Sequence, residues 1–579
     1  ENPLAPTGDG SWLIYGQSNQ TSAVGGNYTL EENLTIESGN TLTIPAGSTL
    51  TVPQGKTLTV NGTLTNQGTL SIAAESCLTG SGSLEGDGSF TAVAVTGIEV
   101  PDDVTCADYE TKVILAGPTV LGHAFTADGW TLTFTKGEVT LDGCTYTVTA
   151  SKEGSESIEK TFTAQHSFGE DGKCPCGASR PTQDAEGCYQ VADAFQLFWF
   201  AGLVNGTLTD GTEQNTSASA VLTDDIDLGG EAWTPIGNYS ASSSLKYTGT
   251  FDGAGHTISN LTTVDNSSSN YQGFVGYLGT NGVIKNLTLD ESCSVAGYYY
   301  VGGICGYNSG TTENCANTYT VTGEQYVGGV CGENNNGTIT NCANGGAVTS
   351  TYQYVGGVCG RMMSGSIESC YNTGSVSVNY RYVGGVCGEN NNGTIESCYN
   401  TGAVNGDFYA GGVCGANSGT IKSCYWLNTA YSGNGIGISF GSETNVASKT
   451  VDQFASGEVA YLLQGSQTTQ AWGQALGTDD YPVLTTDEAK RVYAAKMYNG
   501  SAAATDVYAA TSGFSRPEGS NALCVIEDAL SASAGTNIVV KNGNAYTCAN
   551  LVLTDGADFY TPVAFTATQA TYSRPLADG

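Results

Sequence analysis

The cysteines are the residues of this 579-residue sequence with the most possible chemical roles, because regularly spaced thiols can form disulfides, bind a metal or fill an apolar core. The chain has 19 cysteines, and ten of them form two columns of a repeated sequence. The first column is Cys305, Cys331, Cys359, Cys387 and Cys414, and the second is Cys315, Cys342, Cys370, Cys398 and Cys424.

The least regular copy of the repeat helps to choose among these chemistries. Its sequence GFVGYLGTNGVIKNL aligns Val275 with the first column and Leu287 with the second. A position that accepts valine and leucine is an apolar interior position, where free cysteine acts as a small hydrophobic residue. The columns are therefore predicted to be buried reduced thiols, with disulfides inside each repeat and metal binding as the alternatives.

A separate group, His166, Cys174, Cys176 and Cys188, carries the donor atoms of a zinc site. Only one residue separates Cys174 from Cys176, which is tighter than the C-x-x-C spacing that chelates a metal comfortably. Two interpretations stay open: zinc binding by these four residues, or an ordered linker with or without a disulfide. No metal site is assigned from the sequence, and no cofactor is expected.

Paired carboxylates are the next chemistry to consider, since parallel β-helices include many enzymes that cleave glycans. Glu368 and Glu396 occupy the same place in consecutive repeats, so stacking would hold them about 5 Å apart, the spacing of a retaining glycosidase pair. Neighbouring repeats carry Thr340 and Lys422 there, and no long loop builds a cleft around the position. The pair is not predicted to be catalytic.

Histidine offers no better catalytic set. The three histidines, His123, His166 and His256, lie in three different segments, and neither H-E-x-x-H nor G-x-S-x-G occurs. His256 is predicted to be a surface turn residue. We therefore expect no catalytic residue and no enzyme activity in this chain.

Tyrosine also recurs in columns. Such columns occur in proteins as packing ladders and as platforms for sugars, so lateral stacking and a glycan-binding face are both kept as interpretations. One set opens the repeats and comprises Tyr298, Tyr299, Tyr300, Tyr326, Tyr354, Tyr382 and Tyr409. The other set follows the second cysteine column and comprises Tyr371, Tyr399 and Tyr425.

The elements that position these residues are copies of one unit, typified by YVGGVCGENNNGTITNC. Successive copies start 26, 28, 28 and 27 residues apart, a period at which each unit must stack on its neighbours to bury its apolar face. Weaker copies place the chain in this register by about residue 250. Gly328, Gly329, Gly337 and Gly393 are predicted to form corners with positive φ.

Two apolar stretches, 192–205 and 451–464, have helical spacing and are predicted to cap or buttress the two ends of the repeat array. Asp193 is expected to cap the start of the first helix, and Gly206 its end. Upstream, T-L-T-[IV] elements at Thr41, Thr49 and Thr57 predict a small triangular solenoid. Residues 96–164 predict an immunoglobulin-like sandwich, with a turn at Lys136–Gly137.

These elements predict six segments. They are an N-terminal segment with a small β-solenoid (1–95), an immunoglobulin-like spacer (96–165), a cysteine-containing linker (166–190), a parallel β-helix (191–445, with its clear repeats at 300–426), a helical and β cap (446–494) and a C-terminal β module expected to be incomplete (495–579).

Charge limits the partners. Lys and Arg total 19 against 55 Asp and Glu, a net charge of −36, which disfavours nucleic acid and anionic membranes as partners and fits a soluble extracellular protein. No run of 18 apolar residues occurs, so membrane insertion is not expected. The first residues lack a basic start and an apolar core, so we expect a signal peptide to have been removed already. The oligomeric state is not predicted.

The repeat [YF]-x-G-G-[FV]-x-G…G-x-I-x-N-[CL] resembles the GLUG motif of bacterial surface proteins, and the resemblance extends over roughly residues 166–485. That motif recurs in large adhesins and in non-catalytic parts of IgA-specific metalloproteases, and YQVADAFQLFWFAGLVNG resembles its usual neighbours in gut bacteria. The resemblance implies a secreted or cell-surface protein with a right-handed parallel β-helix, and it implies no particular activity.

The sequence thus predicts a mainly β chain in which a GLUG-type parallel β-helix is flanked by a small solenoid, an immunoglobulin-like sandwich and a C-terminal β module. The expected function is an adhesin-like, non-catalytic scaffold for host or polymeric ligands, with glycans among the candidates. The alternatives are an accessory region of a larger secreted protease or glycosidase, and a β-helix enzyme that degrades polysaccharide.

Overall fold

The computed structural model separates the chain into two compact units, Glu1–Arg180 and Pro181–Gly579. The first residues, on which the expectation of a removed signal peptide rests, lie outside the described part of the chain. The described residues are 21–23, 26–140, 142–153, 155–240, 243–263, 269–465, 467–475, 478–487, 490–498, 504–510, 523–526, 538–541, 546–553 and 565–572.

The first unit begins with a small solenoid of three parallel sheets, which confirms the predicted triangular coil. In each T-L-T strand the leucine is buried and the threonines are partly exposed, and strands one coil apart pair in register, as Thr41 does with Thr63. A 3-10 turn covers Glu75–Cys77. The sheets consist of Thr21–Ala23, Thr41–Ile44, Thr63–Asn66 and Ser83–Glu85; of Leu34–Ile36, Leu58–Val60 and Leu78–Thr79; and of Asn27–Thr29, Thr49–Val52, Thr69–Ile72 and Ser89–Ala92.

The rest of the first unit is mainly antiparallel, although His123–Ala127 pairs in parallel with the last solenoid strand, Ser89–Ala92. Its strands are Gly97–Glu99, Ile114–Val120 and His123–Ala127, which extend the third solenoid sheet, and Thr131–Thr140, Gly143–Ser151 and Ile158–Ala164, which form a sheet of their own; helix α1 spans Tyr109–Lys112. The predicted turn at Lys136–Gly137 is wrong, because Thr131–Thr140 is one strand with a bulge between Lys136 and Val139. A bulge interrupts the alternation of a strand as a turn does, so the sequence pattern alone does not distinguish the two. The immunoglobulin-like classification of this region stays a prediction.

The second unit is built on a parallel β-helix. Its main sheet contains the strands Thr182–Gln183, Tyr189–Val191, Ala220–Leu222, Ile226–Asp227, Thr250–Asp252, Thr257–Ser259, Val275–Leu278, Val283–Lys285, Thr288–Leu289, Cys305–Asn308, Thr311–Glu313, Ala316–Asn317, Cys331–Thr340, Ala343–Asn344, Cys359–Glu368, Tyr371–Asn372, Cys387–Asn390, Thr394–Glu396, Tyr399–Asn400, Cys414–Asn417, Thr420–Leu427, Ile436–Ser439 and Ser442–Lys449. A second sheet contains Val295–Ala296, Tyr299–Gly302, Val321–Gly328, Val348–Gly356, Val376–Val378, Arg381–Gly384, Val404–Asn405 and Phe408–Gly411.

Parallel pairing in this unit starts before the recognisable repeats. Tyr189 pairs with Ala220, and Ala220 pairs with Phe251, so parallel stacking begins near residue 189, before the residue 250 by which the sequence places the chain in this register. Short two-stranded sheets join Ala232–Trp233 to Thr262–Thr263 and Tyr239–Ser240 to Ser243–Ser244. Each full turn of the β-helix, here called a rung, stacks in register on the next.

The corners of the rungs differ from the prediction. Positive φ falls on the tyrosine that opens each rung, for example Tyr354 at 61°, whereas Gly328, Gly329, Gly337 and Gly393 do not have positive φ. These glycines are needed for space instead. A Cβ on Gly328 would lie 2.0 Å from the Cys331 carbonyl oxygen. The corner prediction was wrong because close approach, rather than backbone conformation, requires a glycine there.

Buried asparagines stack along the interior as an amide ladder. The Nδ2 of Asn344 donates to Asn372 Oδ1 over 2.7 Å, and the Nδ2 of Asn372 donates to Asn400 Oδ1 over 2.7 Å. Each amide also donates to a backbone carbonyl two residues further on, so a fully buried polar side chain has its partners. The repeated Cys-x-Asn pattern of the sequence is the feature that indicates this ladder.

Helix α2 (Ala194–Asn205) closes the first rungs. The Asp193 side chain accepts from Gln196 N over 2.9 Å, and Gly206 has φ of 70°, which confirms both predicted caps. The Phe200 ring lies 6.0 Å from the fully buried Phe251 ring, so the helix covers the interior of the β-helix at this end.

The second predicted helix is two helices, α3 (Val451–Ala455) and α4 (Glu458–Gln464). Thr450 and Gln453 form a capping box, and the left-handed Gly457 breaks the stretch. A hairpin of Trp472–Gly473 and Val483–Leu484 follows. Beyond it lie Val492–Tyr498, Ala504–Ala510, Leu523–Ile526 and Ile538–Lys541 in one antiparallel sheet and the parallel pair Tyr546–Leu553 and Phe565–Tyr572. None of the described helices is long and apolar enough to cross a bilayer.

We expect Asn372→Leu to lower the free energy of unfolding by about 1 to 3 kcal/mol, because it deprives two buried amides of a partner. Urea denaturation followed by circular dichroism measures this loss. The matched control is Met362→Leu, since Met362 is a buried apolar residue that interrupts a second asparagine column between Asn334 and Asn390. Equal unfolding midpoints for the two variants would contradict the ladder's contribution.

Candidate functional site: an aromatic edge, with a separate thiol–histidine cluster

Both cysteine columns lie in the interior of the β-helix as free thiols, in agreement with the packing interpretation. Val275 pairs with Cys305, and Lys285 pairs with Glu313, which places Leu287 opposite Cys315. At the far end Ile436 and Val446 continue the two columns after Cys414 and Cys424. Burial raises the pKa of Cys424 well above its usual value, so this thiol stays protonated.

The carboxylates of Glu368 and Glu396 lie on neighbouring strands in direct register. Lys422 Nζ lies 3.5 Å from Glu396 Oε2, so the next rung supplies a counter-charge at the same position. The two glutamates are neighbours because one surface position is repeated in consecutive rungs. Their geometry gives no reason to change the prediction that they are not catalytic.

The histidines make separate contacts. His256 directly precedes the strand Thr257–Ser259, and its Nδ1 lies 3.3 Å from Asp225 Oδ1. His123 Nε2 lies 2.9 Å from the Leu84 carbonyl oxygen. Of the three, His166 lies among thiols.

A thiol–histidine cluster is present in the first unit, but its membership differs from the sequence-based set. Cys106, His166, Cys174 and Cys176 place their ligand atoms within 4.8 Å of one another. Cys188 belongs to the second unit and is not a member. Sequence reasoning missed Cys106 because it lies 60 residues before His166, and only the pairing of Thr105 with Gln165 brings the two side by side.

The tyrosine column that follows the second cysteine column is covered. The side chains of Tyr399 and Tyr425 are buried beneath α3, α4 and the following hairpin, in a cluster with Phe454, Leu463 and Trp472. The Tyr399 hydroxyl donates to the Pro482 carbonyl oxygen over 2.8 Å. This column is a packing ladder, and α3 and α4 buttress the side of the last rungs through it.

The column that opens the rungs has no such cover among the described residues and remains half-buried or exposed. Its members are Tyr271, Tyr300, Tyr326, Tyr354, Tyr382 and Tyr409, and the ring centroids of successive members lie 4.8, 5.1, 5.1, 5.0 and 5.2 Å apart. All six have positive φ, between 53° and 62°. The repeated corner thus aims one ring per rung along a single line.

Further aromatic residues lie beside this line on the last three tyrosine rungs. The rings of Tyr352 and Tyr380 stack 5.5 Å apart, and Phe408 lies 6.3 Å from Tyr380. The Arg381 guanidinium lies 5.1 Å from the Tyr380 ring centroid and 4.9 Å from that of Tyr382. We call Tyr352, Tyr380, Arg381, Tyr382, Phe408 and Tyr409 the aromatic edge. Sequence reasoning missed Tyr352, Tyr380 and Phe408, although Y-x-Y in two repeats was a usable signal.

Charged residues lie next to the tyrosine line, on the strands that follow the tyrosine-bearing strands in each rung. Arg361 forms an ion pair with the buried Glu333, donates to the Tyr326 hydroxyl over 2.9 Å and stacks 3.9 Å from that ring's centroid. Glu389 follows Arg361 in register. Burial raises the pKa of Glu333 to about 7, although the Arg361 charge acts in the opposite direction.

The family model described as "The GLUG motif" matches residues 351–377 and 379–405. The chain contains GLUG motifs. The matched GLUG rungs are those that carry Tyr352, Tyr354, Tyr380 and Tyr382, so the aromatic edge lies largely on them.

Two relatives are similar over part of the chain. A 148-residue stretch, 25% of this chain, is 36% identical to halomucin of Haloquadratum walsbyi (strain DSM 16790 / HBSQ001) and covers 2% of that protein. A solved IgA1 protease structure superposes on 62% of this chain and 27% of its own, with 15% identity and a TM-score of 0.35, a similarity too low to carry an argument. The chain therefore spans a small part of each of these proteins.

We expect the ten column thiols to be protected from a thiol reagent in the native chain and to react after denaturation without reductant. The reason is their burial as free side chains, which excludes the reagent until the rungs open. Ellman titration with and without guanidinium measures both states. If denaturation exposes none of these ten thiols, the columns are disulfide-bonded and the packing interpretation fails.

The raised pKa of Glu333 predicts a pH dependence of stability. The folded chain binds the Glu333 proton more tightly than the unfolded chain does. Protonation of Glu333 therefore stabilises the folded chain at low pH, and this stabilisation is lost as the pH rises from about 4.5 through about 7. Urea midpoints measured between pH 5 and 8 should therefore fall more steeply for the unmodified chain than for Glu333→Gln. Identical slopes would contradict the assignment.

Proposed function

We propose that this chain is a non-catalytic binding region of a larger extracellular surface protein, and that its aromatic edge binds glycan chains. The GLUG rungs act as the scaffold that repeats the binding residues along one line. Adhesion or display is the role that this arrangement serves.

The observation that carries the proposal is the exposure of the aromatic edge. Eight large hydrophobic residues are exposed among the described residues, and four of them, Tyr352, Tyr380, Phe408 and Tyr409, lie on this edge. Exposed apolar side chains that cluster mark interaction surfaces, whereas single ones need no explanation. The covered column at Tyr371, Tyr399 and Tyr425 provides the contrast, because there the aromatic residues pack against helices.

The chemistry of the edge suits a carbohydrate. Aromatic rings offer flat apolar faces to the C–H groups of a sugar ring, and Arg381 provides donors beside them for hydroxyl groups. The rings recur on successive rungs about 5 Å apart, so a polymer can contact several of them at once. With a net charge of −36, the chain favours neutral glycans over polyanionic ones.

A second candidate is an accessory region of a larger secreted protease or glycosidase. The observation that favours it is that the GLUG motifs form a repeated scaffold, and such a scaffold can support an activity encoded in another domain. A polysaccharide-degrading β-helix is the third candidate. Release of reducing sugars from a bound polymer would support the polysaccharide-degrading enzyme over the binding region and the accessory region.

We expect the full chain to bind neutral oligosaccharides or polysaccharides on a glycan array, and Tyr380→Ala to weaken that binding about five- to tenfold through loss of one stacked ring. Calorimetry with the best array ligand measures the change. The matched control is Phe440→Ala, which removes an exposed aromatic side chain that lies outside the edge.

Equal affinities for Tyr380→Ala, Phe408→Ala and the Phe440→Ala control would exclude the aromatic edge as the binding site. Absence of binding to every arrayed glycan would exclude the proposed ligand class. Thermal unfolding of each variant should match that of the unmodified chain, because these side chains are exposed and their truncation leaves the interior intact.

A further inference from the structure

We propose that Cys106, His166, Cys174 and Cys176 bind one zinc ion, which fastens the end of the first unit to its antiparallel sheet. The proposal concerns a site independent of the aromatic edge and of the proposed glycan binding. It replaces the sequence-based set by exchanging Cys188 for Cys106.

Distances between the donor atoms suit a small tetrahedral ion. The Cys176 sulfur lies 3.2 Å from the Cys174 sulfur and 3.4 Å from His166 Nδ1, and all four ligand atoms lie within 4.8 Å of one another. In a tetrahedral site with Zn–S bonds of about 2.3 Å, sulfurs lie about 3.8 Å apart. A small opening of the Cys174–Cys176 pair therefore suffices.

Two elements of the fold bring the ligands together. Thr105 and Gln165 form a parallel bridge, and Cys106 N donates to the Gln165 carbonyl oxygen over 2.8 Å, so Cys106 and His166 leave the bridge side by side. The other two ligands come from one tight loop. Its shape is fixed by hydrogen bonds of 2.8 Å from Cys174 N to Ala178 O and from Gly177 N to Cys174 O.

The imidazole of His166 is oriented as a ligand requires. Its Nε2 lies 2.7 Å from the Thr140 carbonyl oxygen, which can only accept, so Nε2 carries the proton. Nδ1 then presents its lone pair toward the sulfurs. A backbone carbonyl that holds the second ring nitrogen is the usual support for a metal-binding histidine.

The surroundings also match the charge of the site. Three thiolates and one Zn²⁺ leave a net charge of −1, and the Lys136 ammonium group donates to the Cys176 carbonyl oxygen next to the cluster. The cysteines are buried, which protects the complex from competing ligands.

A disulfide is the competing use of these thiols. Any single bridge among Cys106, Cys174 and Cys176 leaves one thiol and the oriented His166 without a role, whereas one zinc ion uses all four donors. The sulfurs of Cys174 and Cys176 lie 3.2 Å apart, well beyond the S–S bond length of about 2.05 Å. Four protein ligands leave no open coordination position, so the site is structural rather than catalytic.

The test uses the full chain, purified with reductant, loaded with zinc and then desalted. Elemental analysis should give about one zinc per chain for the unmodified protein and less than about a tenth of that for Cys106→Ser. Cys188→Ser is the matched control and should keep the full zinc content. Zinc lost from Cys188→Ser and kept by Cys106→Ser would overturn the assignment.

A second measurement on the unmodified chain does not depend on how the variants fold. Replacement of zinc by Co²⁺ should give the visible absorption of a tetrahedral site with thiolate ligands. A zinc-free chain whose intact mass is lower by the two hydrogens of a disulfide, with Cys106 in the bridged peptide, would instead show that the thiols form a bridge. Retention of neither metal by the reduced chain would equally overturn the proposal.

Discussion

The constraint on which the β-helix depends is that each repeated residue packs against a copy of itself one rung away, at the spacing of about 4.8 Å between neighbouring strands. Few side chains tolerate their own copy at that distance. Aromatic rings stack, amides donate to and accept from one another, and thiols fit as small apolar groups. The columns at Tyr354, Asn372 and Cys359 use these three solutions.

One partly buried column meets the same constraint by alternating its charges, whereas the surface position of Glu368 and Glu396 does not. The column that runs from Tyr307 through Glu333, Arg361 and Glu389 never places like charges on adjacent strands. Like charges that face each other across strands destabilise a sheet, and an arginine between two carboxylates avoids this. A low charged fraction of 13% follows naturally in a chain whose interior repeats so many positions.

Local patterns predicted the strands and the interior columns that the period controls, but not the backbone conformation of the corners. The alternation of T-L-T strands gave the small solenoid, and Val275 and Leu287 identified the cysteine columns as interior. Contacts between distant segments could not be predicted. Cys106 meets His166 only through strand pairing. A hairpin with helices covers Tyr399, whereas four side chains of the aromatic edge are exposed. The bulge near Lys136 resembled a turn because both interrupt an alternating strand.

The left-handed corners give the tyrosine line a cooperative character. A tyrosine with positive φ carries backbone strain of about 1 kcal/mol, which stacking on its neighbours must offset. An inner ring such as Tyr354 has two stacked neighbours, whereas a terminal ring such as Tyr409 has one. Each added rung therefore stabilises the rungs before it, and a very short array would lose its corners. The number of repeats is then itself a determinant of whether the edge exists.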